Sequence, residues 1–118
     1  MKILIADDNE DYRKSIKRFL EDDKYKIEEA GNSDEAIKMA QKERYDLIVT
    51  DNDMQDGYKS SGLHVIEEVR KSEKNKKTPI LLSSSYVPEE IEEKAKKFDV
   101  EICDKMDFLK KVKKFLEK

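Results

Sequence analysis

Short apolar runs alternate along this chain with stretches in which apolar residues recur at the spacing of a helix. The runs predict strands over residues 2–6, 26–30, 47–50, 79–82 and 101–103. The stretches between them predict a first helix from about Glu10 to Asp22, a second capped by Ser33, a third around 63–69, a fourth with Pro88 in its first turn and a fifth capped by Asp107. Strict alternation of strands and helices favours an α/β fold, an open, doubly wound, five-stranded parallel sheet with helices on both faces.

Length and charge narrow the class of protein. The 118 residues suit a single domain over 1–118, since a closed barrel of eight units needs roughly twice that length. Charged residues make up 45% of the chain but the net charge is only −3, so no direct nucleic-acid partner is expected.

With no signal peptide and no long apolar stretch, we expect a cytoplasmic protein without a membrane partner. The single cysteine, Cys103, is interpreted as a buried residue, and the single histidine, His64, as a solvated helix residue.

Acidic, hydroxyl and lysine side chains stand directly after four of the apolar runs. Asp7 and Asp8 follow the first run, Asp51 the third, Ser84 the fourth and Lys105 the fifth. Ligands of an open parallel sheet bind outside the carboxyl ends of its strands, so we expect these groups to meet at one edge. Two carboxylates about 4 Å apart repel by roughly 4 kcal/mol at an effective dielectric of about 20, and a divalent cation turns that repulsion into binding. Because Mg²⁺ takes one or two carboxylates together with waters and phosphate oxygens, the pattern predicts a magnesium site open toward a phosphoryl group.

Each of these residues also has an ordinary structural explanation when taken alone. Asp7 and Asp8 would favour the start of a helix by about 0.3–1 kcal/mol. Asp51 could simply begin a turn, Ser84 could lie in one, and Lys105 is one of many lysines. A carboxylate such as that of Asp51 can also attack phosphorus and form an acyl phosphate. The shared position after successive strands favours the functional interpretation.

The same positions resemble the receiver domains of two-component response regulators, over nearly the whole chain. The segments that carry the resemblance are residues 3–9, 28–36, 45–51, 79–84 and 104–105, in the family's order and at about its spacing. The resemblance implies a flavodoxin-like sheet with the strand order 2-1-3-4-5. It also implies a stand-alone receiver similar to the chemotaxis regulators.

The resemblance further implies a role for each acid. Asp51 would accept a phosphoryl group from a phosphohistidine on a sensor histidine kinase, and it would also bind the metal. Asp8 would bind Mg²⁺ directly, Asp7 through a water, and Asp53 through its backbone carbonyl.

On the phosphoryl side, the resemblance implies that Ser84 is the switch hydroxyl and that Lys105 contacts the phosphoryl group. The chain departs from the family beside both. Met106 follows Lys105 where the family has proline, and a cis peptide without proline costs roughly 2.5–4 kcal/mol. Ile102 stands in place of the switch aromatic, for which Tyr86 is a weak candidate substitute. The loop after the acceptor carries about three extra residues, so we expect that flank of the site to be more mobile than usual.

The leading functional hypothesis is a phosphorylation-controlled switch with Mg²⁺ as cofactor. Such a protein is not an enzyme with a separate substrate, since it assists only its own phosphorylation and dephosphorylation. Phosphorylation would shift a two-state equilibrium and change a surface that docks an output protein of unknown identity. One alternative is a degenerate receiver that docks a partner without phosphorylation, as Ile102 and Met106 suggest. The other is an Mg²⁺-dependent phosphatase of the haloacid dehalogenase type, suggested by Asp51-Asn52-Asp53, although that motif normally stands near the N-terminus.

Overall fold

Five strands alternate with five helices in the computed structural model, which describes residues 1–20, 25–58, 60–84, 86–105 and 107–116 without the side chains of 115 and 116. The strands are β1 (Lys2–Ala6), β2 (Lys26–Ala30), β3 (Leu47–Asp51), β4 (Ile80–Ser83) and β5 (Val100–Cys103). The helices are α1 (Glu10–Phe19), α2 (Ser33–Lys42), α3 (Ser61–Lys71), α4 (Glu89–Lys96) and α5 (Phe108–Leu116). None of these described helices has the length and apolar character that spanning a lipid bilayer requires.

All five strands are parallel and form one sheet in the order β2-β1-β3-β4-β5, which confirms the predicted fold class and strand order. The register places Ala6 beside Thr50 and Asp51 beside Ser83. The carboxyl ends of β1, β3 and β4 are therefore level with one another. Residues that follow these strands emerge at the same edge of the sheet.

Alternate residues of each central strand enter two different apolar clusters, because successive side chains of a strand point to opposite faces. On one face, Leu4 and Ile48 pack with residues of α2, α3 and α4. On the other face, Ile3 and Val49 pack with residues of α1 and α5. Both faces are covered, which explains why these strands are apolar along their whole length.

The starts of α2 and α4 differ from the prediction by one residue. Asn32 caps α2, because its side chain accepts a hydrogen bond from the N–H of Glu35 at 2.9 Å, so the prediction that Ser33 caps this helix is wrong. Ser33 is instead the first helical residue and is fully buried. Asn and Ser are about equally good caps, so residue type alone does not separate these neighbours. Pro88 is likewise the N-cap of α4 and not part of its first turn.

The first helix begins where the sequence predicts and ends earlier. Asn9 caps α1 by accepting a hydrogen bond from the N–H of Tyr12 at 3.0 Å. The helix ends at Phe19 with Leu20 as its C-cap. The predicted end near Asp22 lies outside the described residues.

A buried amide holds the opposite, amino-terminal end of the sheet. The side-chain oxygen of Asn75 accepts hydrogen bonds from the N–H of Tyr45 at 2.8 Å and from the hydroxyl of Thr78 at 3.0 Å. Its side-chain nitrogen donates to the backbone oxygens of Ala40 and Glu43. Since a side-chain amide offers two donors and two acceptor positions, this buried group is fully satisfied. It ties the loop before β3 to the loop before β4.

Candidate functional site

Three carboxylates from two neighbouring strands meet at the carboxyl edge of the sheet. One carboxylate oxygen from each of Asp7, Asp8 and Asp51 lies within 4.8 Å of the others. Asp7 and Asp8 directly follow β1, and Asp51 is the last residue of β3, which pairs with β1. Asp7 and Asp51 are buried, whereas Asp8 is exposed. The structure thus brings together the acids that the strand ends single out, with Asp8 on the solvent side.

Hydrogen bonds within the turn between β1 and α1 hold Asp7 in place. Its Oδ1 accepts from the N–H of Asn9 at 2.9 Å, and its own N–H donates to the carbonyl of Ala30 at 3.0 Å. The guanidinium of Arg13 donates to the carbonyl of Asp7 and, at 3.2 Å, to the carboxylate of Glu29. The first strand, the second strand and the first helix therefore all fix this acid.

Lys105 reaches the cluster from the loop after β5. Its Nζ lies 3.1 Å from Oδ2 of Asp7 and 3.4 Å from Oδ1 of Asp51. Burial opposes its charge, but the contacts with both carboxylates outweigh burial and raise the pKa of Lys105, so the ammonium stays charged at neutral pH. Met106 lies outside the described residues, so what the departure from proline does to this loop stays a prediction.

Lys105 alone does not balance three carboxylates. Burial and the charge of Asp7 raise the pKa of Asp51 from 3.8 to about 6, against the opposing effect of Lys105. Burial and Asp7 also raise the pKa of Asp8. These shifts report the unfavourable free energy of holding ionised carboxylates close together. The cluster has the surplus negative charge, the all-oxygen donor set and the solvent-facing side that suit Mg²⁺.

The two serines at the end of β4 have different surroundings. The hydroxyl of Ser84 donates to the carbonyl of Tyr86 at 3.0 Å and accepts from its N–H at 3.4 Å, so this hydroxyl is bonded to its own loop. Ser83 is buried next to Asp51 in the sheet, and its hydroxyl lies beside the phenol of Tyr12 and the thiol of Cys103. Tyr86 is 74% exposed. Ile102 instead packs against the apolar core on the face of the sheet that α2, α3 and α4 cover. The candidate substitute for the switch aromatic therefore lies mostly in solvent.

Asp56 anchors the loop that follows β3. Its carboxylate accepts hydrogen bonds from the N–H of Ser33 and from the hydroxyl of Ser61, both at 2.7 Å. Asp53 is exposed in the same loop, and its carboxylate accepts from the N–H of Gln55 at 3.0 Å. The predicted contact of the Asp53 backbone carbonyl with a metal, and the greater mobility of this flank, stay predictions.

Tyr58 covers one side of His64. The two rings stack with centroids 4.0 Å apart, and the hydroxyl of Tyr58 donates to the carboxylate of Asp34 at 2.7 Å. His64 is half-buried, so the prediction of a simply solvated helix residue is wrong. The longer loop returns to α3 and brings an aromatic ring that helical spacing alone does not reveal. Cys103 is buried, as predicted.

Sequence reasoning missed Tyr12 at this site. Helical spacing indicates only that this residue belongs to the apolar face of α1. In the structure, Nζ of Lys105 lies 4.8 Å from the centroid of its ring, which also packs at 6.1 Å against the ring of Phe108. An aromatic residue one turn after Asp8 is the signal in the sequence, but it has no meaning until the position of Lys105 is known.

Comparisons with known proteins agree with this geometry. The sequence profile described as "Response regulator receiver domain" matches residues 3–115. The transcriptional regulatory protein ResD of Bacillus subtilis is 38% identical over 81 residues, which make up 69% of this chain and 31% of ResD, so the chain spans less than a third of that relative. The solved structure of the chemotaxis protein CheY4 of Vibrio cholerae matches with a TM-score of 0.80 at 27% identity, over 97% of each chain. A response regulator of Burkholderia pseudomallei, solved with a phosphorylated aspartic acid, a calcium ion and citrate, matches with a TM-score of 0.75 at 26% identity, over 92% of this chain and 64% of that one.

Proposed function

The chain belongs to the response regulator receiver domain family, and we propose that Asp51 is the residue through which it receives a phosphoryl group from a sensor histidine kinase. Domains of this family are signalling switches, not enzymes with a separate substrate. The proposal therefore concerns which residues perform the phosphorylation and how the signal leaves the site.

One observation carries the proposal. The carboxylate of Asp51 lies with those of Asp7 and Asp8 inside a 4.8 Å cluster, and the ammonium of Lys105 is 3.4 Å away. A phosphoryl group that arrives at Asp51 brings further negative charge, which Lys105 is placed to contact. Phosphoryl transfer depends mainly on positioning and on neutralising this charge, and both features are present here.

We propose Mg²⁺ as the cation that completes the site. Asp8 and Asp51 would bind it directly, Asp7 through a water and Asp53 through its backbone carbonyl. When bound, Mg²⁺ neutralises charge on the oxygens of the transferring phosphoryl group. The Burkholderia response regulator was solved with a phosphorylated aspartic acid and a calcium ion, which supports a phosphoacceptor aspartate and a divalent cation in this chain as well.

The transfer itself exchanges one bond for another. A carboxylate oxygen of Asp51 attacks the phosphorus of a phosphohistidine on the kinase, so an O–P bond forms as the P–N bond breaks. The electron pair of the broken bond stays on the imidazole nitrogen. Lys105 then exchanges its contact with the Asp51 carboxylate for one with a phosphoryl oxygen.

The change in Ser84 would carry the signal away from the site. In this structure its hydroxyl holds two contacts with the backbone of Tyr86, and neutral hydrogen bonds of this kind are worth about 0.5–1.5 kcal/mol each. A hydrogen bond to an ionised phosphoryl oxygen is roughly twice as strong, so phosphorylation would draw Ser84 and its loop toward Asp51. The altered surface would dock an output protein, in the cytoplasm where ATP-dependent kinases act.

The test is phosphorylation with a small donor. Incubation with acetyl phosphate and Mg²⁺ should add the mass of one phosphoryl group to the intact protein. Asp51→Asn and an excess of EDTA should each abolish the addition. Asp11→Asn, which removes an exposed acid from α1 outside the cluster, should leave it unchanged.

Other outcomes would favour the alternatives. No uptake by the wild type, with a control receiver reacting in parallel, would favour a docking module that works without phosphorylation. Steady turnover of a phosphomonoester would favour the phosphatase, although the family match over residues 3–115 argues against it.

A further inference from the structure

We propose that Tyr12 is a positioning residue that holds the ammonium of Lys105 at the phosphoryl site through the face of its ring. The inference rests on the proposed function, because it concerns the lysine that contacts the phosphoryl group. Tyr12 comes from α1, whereas Lys105 follows β5, so only the folded chain brings them together.

Among the described residues, the ammonium of Lys105 makes close contacts with two carboxylates and one aromatic ring. Asp7 and Asp51 lie 3.1 and 3.4 Å from Nζ, and the ring of Tyr12 lies 4.8 Å from it. The proposed function gives both carboxylates to the metal and the phosphoryl group, so these ion pairs must change when the site is loaded. The ring is uncharged, and neither the metal nor the phosphoryl group needs it as a ligand. It is therefore the contact that can hold Lys105 both before and after phosphorylation.

The ring is itself held in place from several directions. The N–H of Tyr12 donates to the capping side chain of Asn9 at 3.0 Å, which fixes its backbone at the start of α1. Its ring packs against Phe108, the first residue of α5, at 6.1 Å with the planes inclined by 51°. Its hydroxyl is buried, with the hydroxyl of Ser83 beside it. Burial also raises the pKa of the Tyr12 phenol, so the ring stays neutral at physiological pH.

The interaction is favourable because a cation is attracted to the negative face of an aromatic ring, most strongly where water is partly excluded. The side chain of Lys105 is 29% exposed, and Tyr12 is half-buried. Without the ring, a flexible four-carbon side chain would have to be held by carboxylates whose own partners change during the reaction.

The chain offers a control pair, in which a lysine of α5 lies over an aromatic ring of α1 away from the phosphoryl site. Lys113 of α5 lies 4.7 Å from the ring centroid of Phe19 at the end of α1, almost the same separation as at the site. Phe19 is 49% exposed and is the last residue of α1, whereas Tyr12 lies near the start of that helix beside the acidic cluster. Replacing it removes a cation–ring pair without touching the phosphoryl site.

The experiment compares the rates of phosphorylation by acetyl phosphate at saturating Mg²⁺. Tyr12→Leu should slow the reaction by about 2- to 30-fold, the range that a cation–ring contact spans. Tyr12→Phe keeps the ring and should restore the wild-type rate, and Phe19→Leu should leave the rate unchanged. An equal rate in Tyr12→Leu, or an equal loss in Phe19→Leu, would overturn the inference.

A spectroscopic measurement separates positioning from general packing. Stacking should move the terminal methylene protons of Lys105 upfield in the proton NMR spectrum, and Tyr12→Leu should remove that shift while Phe19→Leu keeps it. If Tyr12→Leu fails to fold, the phosphorylation rate is measured on Tyr12→Met instead. The absence of an upfield shift of the Lys105 protons in the wild type would overturn the inference. No uptake by the wild type would overturn the proposed function and this inference together. Normal uptake with an equally fast Tyr12→Leu would overturn this inference alone.

Discussion

Removing the charge of the proposed acceptor should stabilise the metal-free protein. The change is Asp51→Asn, which keeps the shape of the side chain and deletes one negative charge from a buried cluster of carboxylates. The expectation runs against the usual rule that a substitution in a buried polar site destabilises. It follows from the electrostatics of the site, where burial and the repulsion by Asp7 together exceed the attraction of Lys105.

The pKa of Asp51 gives the magnitude. Burial and the charge of Asp7 raise this pKa from 3.8 to about 6. For an acid, a folded-state pKa above the unfolded value means that ionisation destabilises the fold, by about 1.4 kcal/mol for each pKa unit. At a pH above about 6, the ionised Asp51 side chain therefore lowers the free energy of unfolding by about 3 kcal/mol. Asparagine loses the ion pair with Lys105, which offsets part of this gain. We therefore expect the free energy of unfolding of Asp51→Asn to exceed that of the wild type by about 1–3 kcal/mol at neutral pH.

Urea unfolding followed by circular dichroism, with EDTA present, measures this gain. The gain should be full above about pH 6 and should vanish near pH 4, where Asp51 is protonated in the folded wild type and carries no charge to remove. Adding Mg²⁺ should reduce or reverse the difference in free energy of unfolding between Asp51→Asn and the wild type. The reason is that a ligand stabilises only the protein that binds it, and the wild type keeps the full set of carboxylates.

Asp53→Asn is the matched control for this prediction. It removes the same charge from an exposed position two residues away, and an asparagine oxygen can still accept the hydrogen bond from Gln55. Its effect should stay within about 0.5 kcal/mol. The reasoning would be refuted if Asp51→Asn were less stable than the wild type at neutral pH, or if its gain were the same near pH 4.

The remaining predictions concern packing, buried polar groups and the metal. Gly62→Ala would place a Cβ 2.5 Å from Cδ1 of Leu82 and 2.6 Å from the carbonyl of Asp51, so it should lower the urea midpoint by the equivalent of about 1–3 kcal/mol and slow phosphorylation. Gly57→Ala meets nothing within 4 Å but has a φ of +92°, so it should cost only about 1 kcal/mol and leave the rate unchanged. Asn75→Ala leaves buried backbone groups without partners and should cost about 2–4 kcal/mol in urea unfolding while the phosphorylation rate stays normal. The affinity for Mg²⁺, measured by calorimetry, should fall by up to about tenfold per pH unit below the pKa of Asp51, because protons compete with the metal for the carboxylate.

The fold was predictable because its signals are local and repeated. A strand buried on both faces is apolar at every position, so runs such as residues 3–6 and 47–49 stand out without any knowledge of the partner strand. The acidic edge was predictable for the same reason, since Asp7 and Asp51 each directly follow an apolar run and parallel strands bring such ends together. The order of the strands could not be predicted from such local signals, because it depends on which strands pair with each other. It was implied only by the family resemblance.

The features that the sequence did not reveal depend on distant neighbours. Asn32 and Ser33 are both suitable caps, and the choice between them depends on Asp56, which accepts the hydrogen bond from the N–H of Ser33. The stacking of Tyr58 on His64 requires the path of a loop that periodicity does not describe. A helical pattern shows that a residue faces inward, but it does not show which distant side chain lies opposite.

The resting geometry also indicates which contacts drive the switch. A ligand shifts an equilibrium between two conformations only by the difference in its affinity for them. The acids that would hold Mg²⁺ are fixed by the turn around Asp7 and by the end of β3, so the cation should bind both conformations and contribute little to that difference. Ser84 and Lys105 do have partners to exchange, the backbone of Tyr86 for one and the carboxylates for the other. The free energy that moves the output surface should therefore come from these two side chains as they turn to the phosphoryl group, with Mg²⁺ acting mainly to make the transfer possible.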